Sequence, residues 1–98
     1  MIVRIVKLTF QEEYINDFIT IFKDSKELIR NFEGCTHLQL LQDENDNRVI
    51  YTYSNWISAA NLEKYRNSDL FKNVWKQTKS YFNGKPEAWS VDKKAILK

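Results

Sequence analysis

Residues 2–10 read as a strand that is apolar on both of its faces. Ile2, Val6, Leu8 and Phe10 alternate onto one side, and Val3 and Ile5 onto the other. Such a strand needs cover on both sides. Residues 11–32 then switch to the helical period, with Ile15, Phe18, Phe22, Ile29 and Phe32 separated by steps of three and four and Tyr14, Ile19, Ile21 and Leu28 widening the stripe. That helix supplies one cover. Its other face carries Glu12, Glu13, Asn16, Asp17, Lys23, Glu27, Arg30 and Asn31 and is solvated. Ser25 interrupts the apolar stripe, where a small side chain either lets the helix approach the sheet or leaves room for a ligand.

Gly34 is placed to cap the C-terminus of that helix. A strand over Cys35–Gln42, a polar loop over residues 43–47 and a strand over Arg48–Trp56 form a hairpin. In its second strand Val49, Tyr51 and Tyr53 share one face, and Ile50, Thr52, Ser54 and Trp56 share the other. Ser58 and Ser68 are N-cap residues for a short helix near 58–66 and a longer one near 68–83, whose buried stripe is Phe71, Val74, Trp75, Thr78 and Phe82. Gly84 and Pro86 close it. A last strand runs from Glu87 to Val91, with room to continue towards Ile96. The order βαββαβ predicts an α+β, ferredoxin-like fold for residues 1–98 as one domain, an antiparallel sheet with its helices on one side. Helices cover one face only. The simplest cover for the other is the sheet of a second copy, which predicts a homodimer.

Ninety-eight residues lie near the lower end of what buries a core unaided, yet the chain holds three Trp, five Tyr and six Phe. Some of that ring surface should line a pocket or an interface. With 15 basic and 13 acidic residues dispersed along the sequence, no basic stripe points to nucleic acid. No segment approaches the roughly 18 apolar residues of a membrane span. The single Cys35 and the lack of a signal-like N-terminus make the cytoplasm the expected compartment.

No phosphate loop, CxxC, HExxH or nucleophile elbow occurs, and one histidine is too few for a familiar zinc or haem site. What remains is an aromatic pocket with a few polar groups. His37 has the one side chain that ordinarily titrates near neutrality, which makes it the candidate general base, although a lone strand histidine is more often a hydrogen-bonded or partly exposed residue. Alternation does not decide which face it occupies. Cys35 reads as a small buried hydrophobe.

Phe32-Glu33-Gly34-Cys35, followed about twenty residues later by Trp56-x-Ser58-x3-Leu62-x2-Tyr65-x2-Ser68-x2-Phe71, resembles the antibiotic biosynthesis monooxygenase family of small dimeric α+β barrel proteins. The resemblance covers essentially the whole chain. It implies a dimeric barrel with a C-terminal segment reaching the partner, and an oxygenase that needs neither metal nor flavin, because a deprotonated phenol or quinol supplies the electron that activates oxygen. Trp56 matches the family's strand-end tryptophan, either lining the pocket or sealing the core. Thr52 and Ser54 share its face and could orient a substrate hydroxyl. Tyr65 stands where many members carry His, which replaces a neutral-pH base by a hydrogen-bond donor. Phe71 and Trp75 complete the candidate lining, with a core role as the alternative at ordinary helical spacing.

The haem-degrading branch carries an axial His where this chain has Trp75, and an Asn on the first strand where it has Val6. Haem degradation is therefore not expected, and no cofactor is. Two readings follow. One is a cofactor-independent monooxygenase acting on a small phenolic or quinol compound; the other is a non-catalytic dimeric module that binds a small aromatic ligand or is structural.

Overall fold

The computed structural model describes residues 1–97. Four strands, β1 (Ile2–Thr9), β2 (Cys35–Gln42), β3 (Val49–Trp56) and β4 (Glu87–Asp92), form one antiparallel sheet in the order β2-β3-β1-β4. Helices α1 (Ile15–Arg30), α2 (Ala59–Arg66) and α3 (Asp69–Thr78) connect them. This is the ferredoxin-like α+β arrangement that the periods predict.

Helix boundaries differ from the sequence reading in ways that local chemistry explains. The expected helix over 11–32 begins as a short 3-10 turn at Glu12–Tyr14, becomes α1 only at Ile15, and ends with Asn31 rather than Gly34 as its C-cap. Gly34 serves the turn beyond. Its φ of 87° is in the left-handed region, and an added Cβ would collide with the Asn61 side chain at the start of α2. The helix expected to reach residue 83 stops at Thr78 and tightens into a 3-10 turn over Lys79–Tyr81, after which Phe82 bridges to Phe10. Both serine caps form as expected: Ser58 Oγ accepts from the Asn61 N–H at 3.2 Å and Ser68 Oγ from the Phe71 N–H at 3.1 Å. In the hairpin loop, Asp43 Oδ2 accepts from the backbone N–H groups of Asn45 and Asp46 at 3.0 and 2.9 Å, and Asp46 pairs with Arg48.

Register sorts the side chains into two faces. Opposite one another on the helix side lie Arg4 and Ser54, Val6 and Thr52, and Leu8 and Ile50. The open side carries Val3, Ile5, Tyr51, Tyr53, Trp89 and Val91. Under the helices the core falls into two clusters, one built on Leu8, Phe10, Ile15, Phe18 and Ile50 and one on Cys35, Trp56 and Leu62. Leu28, expected to widen the α1 stripe, is exposed, and Ser25 is half-buried without facing the space between the clusters.

Candidate functional site

Two separate clusters under one helical layer leave a gap between them, and that gap is the candidate site. A cavity of about 540 Å³ lies between the helix face of the sheet and α1, α2 and α3, within the ordinary range for a small-molecule pocket. Thr52, Ser54 and Trp56 from β3, Tyr65 from α2, and Phe71 and Trp75 from α3 all line it. The cavity also explains why the expected buried stripe of α3 is only half-covered: Thr78 alone is fully buried, whereas Phe71, Val74 and Trp75 look into open space.

The wall is a continuous run of rings. Trp56 stacks on Tyr65 with centroids 4.9 Å apart, Tyr65 meets Phe71 edge-on at 5.3 Å, Phe71 stacks on Trp75 at 5.9 Å, and Trp75 continues to Phe82 at 5.4 Å. From there the run passes through Phe10 and Phe18 to Phe22. Phe18 and Phe22 close the α1 side of the cavity. Stacked, edge-on and tilted pairs alternate along the run, with centroids 4.5 to 6.4 Å apart, the range in which aromatic pairs attract.

Trp56 turns out to be wall and core at once. It is 0% exposed, and its indole N–H donates to Ser54 Oγ at 2.9 Å, a bond between neighbours two apart on one strand face. The N–H is thus spent inside the protein, and Trp56 backs the cavity wall from behind Tyr65. Two hydroxyls remain available, because those of Thr52 and Tyr65 make no side-chain hydrogen bond among the described residues. Burial, with a smaller contribution from Cys35, pushes the Tyr65 phenol well above its ordinary range. Tyr65 therefore stays protonated and serves as a donor.

His37 is not at the cavity. Cys35 pairs with Trp56 on the helix side, but the register shifts between Cys35 and His37, and the extra residue Thr36 turns His37 to the open face opposite Asn55. There its ring meets Tyr53 edge-on at 5.9 Å. The candidate base is corrected accordingly: the sheet separates its imidazole from the pocket. Cys35 is buried, and burial raises its thiol above the ordinary value, as an inert core residue requires. No three His, Cys, Asp or Glu side chains gather into a metal-binding group among the described residues.

Arg4 and Arg66 were missed by the sequence reading, and both line the cavity. The signal for Arg4 was present, since it lies between Ile2 and Val6 in the helix-facing alternation.

The sequence pattern of the antibiotic biosynthesis monooxygenase family matches residues 1–77. The chain belongs to that family. Solved structures agree on the fold. A conserved protein from Methanosarcina mazei Go1 superposes with a TM-score of 0.89 at 21% identity, over 96% of this chain and 94% of that one. An antibiotic biosynthesis monooxygenase gives 0.88 at 16% identity over 99% and 100%. A Mycobacterium tuberculosis protein gives 0.89 at 11% over 99% and 98%. No curated protein matches the chain significantly. Family membership supports a monooxygenase or small-molecule-binding role in general terms. No helix among the described residues is long and apolar enough to cross a membrane.

Proposed function

We propose that this protein is a cofactor-independent monooxygenase that oxidises a small phenolic or quinol compound with O2, working as a homodimer. The observation that carries this reading is the ring-lined cavity with two unengaged hydroxyls, in a chain that belongs to a monooxygenase family. A planar substrate would lie against the Tyr65 and Phe71 rings, with Trp56 stacked behind Tyr65. Donors such as Tyr65 and Thr52 favour its oxyanion, and the apolar walls exclude water. Electron transfer from the anion to O2 is followed by carbon–oxygen bond formation. For a phenol with a free ring position, one oxygen atom becomes the second carbonyl of a quinone, and the other leaves as water with the hydroxyl and ring hydrogens. The substrate supplies all four electrons, so no external reductant is required.

The binding-module reading keeps one specific support: among the described residues neither a carboxylate nor an imidazole lines the cavity. Ionisation must then rely on the substrate's own acidity. Oxygen uptake with a panel of quinols and anthrones, in buffer containing a chelator, separates the two. The expected result is one O2 consumed per product formed, at a rate the chelator leaves unchanged. Binding of panel members with no uptake above the buffer rate would assign the protein to the binding class.

The homodimer rests on the open sheet face. Trp89 and Val91 are 43% and 45% exposed beside Val3, Ile5, Tyr51 and Tyr53, an aromatic and aliphatic patch that a second sheet would cover. Ile96 and Leu97 extend the exposed apolar surface beyond β4.

A further inference from the structure

The charged side chains that line the cavity are of one sign: Arg4, Arg66 and Lys85 line it, and among the described residues no Asp or Glu does, although the chain carries 13 acidic residues. Arg4 projects from the middle of the sheet face rather than from a loop or helix end. The residue is half-buried, its guanidinium donates to Ser90 Oγ at 3.0 Å, and among the described residues it makes no salt bridge. Arg66 is held by Glu63 at 3.3 Å at the end of α2. Burial first, and the charge of Arg66 second, weaken the hold of Arg4 on its proton, while Glu63 opposes them. A cation kept in such surroundings is one whose environment improves when an anion arrives.

We propose that Arg4, with Arg66 beside it, recognises a carboxylate carried by the aromatic substrate, separate from the hydroxyl that is oxidised. This deepens the monooxygenase reading and rests on it. A guanidinium offers parallel donors that match the two oxygens of a carboxylate, whereas a phenolate offers one oxygen. The apolar rings take the body of the ligand and the arginine end fixes its orientation, which leaves Thr52 and Tyr65 to meet the reacting hydroxyl.

The test is calorimetric titration of the full chain with naphthol and with the hydroxynaphthoic acid that differs from it by one carboxyl group. Wild-type protein is expected to bind the acid about tenfold or more tightly than naphthol, the scale of one charge-assisted hydrogen bond pair. In Arg4→Gln that preference should collapse while naphthol affinity persists, which also shows that the variant is folded. Arg66→Gln should reduce the preference in part. Arg48→Gln, which removes the same charge from the hairpin loop, should leave it intact. Equal affinities in the wild type, or a preference that survives Arg4→Gln or is lost equally in Arg48→Gln, would overturn the carboxylate assignment and leave the cavity reading standing. If neither compound nor any quinol of the panel binds, the cavity reading fails and the assignment with it.

Discussion

Replacing Trp56 by alanine is expected to lower unfolding stability by about 3–5 kcal/mol, the cost of emptying a packed aromatic site. Trp56 is fully buried, touches Phe32 and Tyr65, and anchors the cluster with Cys35 and Leu62. A domain of this size has a total stability of about 5–15 kcal/mol, so the variant should be marginal in denaturant titration. Trp56→Phe keeps a ring but strips Ser54 Oγ of its donor, at a cost of about 1–3 kcal/mol. Because the indole N–H never faces the ligand, this milder variant should bind small aromatics nearly as well as wild type once folded. A change of less than about 1 kcal/mol in the alanine variant would show that the second core cluster does not depend on this ring.

Trp89→Asp should dissociate the proposed dimer without unfolding the subunit. Trp89 lies on the open face of β4 opposite Ile5, away from the cavity and both core clusters. A two-fold interface contains the substitution twice, and at about 2 kcal/mol or more for each central aromatic lost the dissociation constant should rise roughly a thousandfold. Sedimentation velocity across micromolar concentrations reads the change. Wild-type protein that sediments as a stable monomer over the same range would remove the open face as a dimer interface.

Much of the fold was legible because period and cap chemistry agree along the chain. Ser58 and Ser68 marked two helix starts, and alternation in β3 placed Thr52, Ser54 and Trp56 on one face, where the structure brings all three to the cavity. Tyr65, Phe71 and Trp75 followed from helical spacing and the family motif. His37 failed for a physical reason. A one-residue bulge at Thr36 inverts the alternation between Cys35 and His37, and a bulge leaves no mark in a period-two pattern. Arg4 is hidden for a different reason: hydrophobic alternation marks apolar positions, and a charge at an inward position leaves no such mark. Gly34 was rightly picked out as a special residue but given the wrong task. Its positive φ serves the entry to β2 against Asn61, a long-range contact that helix-capping rules do not contain.

The central claim is that the space between the helices and the sheet is where an aromatic substrate is held. A crystal structure of the protein with a slowly oxidised quinol, or with its quinone product, tests this most directly. The ring is expected against Tyr65 and Phe71, with a hydroxyl or carbonyl oxygen within hydrogen-bond reach of Thr52 or Tyr65. A ring bound instead on the open sheet face beside His37 and Tyr53, with the cavity empty, would contradict it.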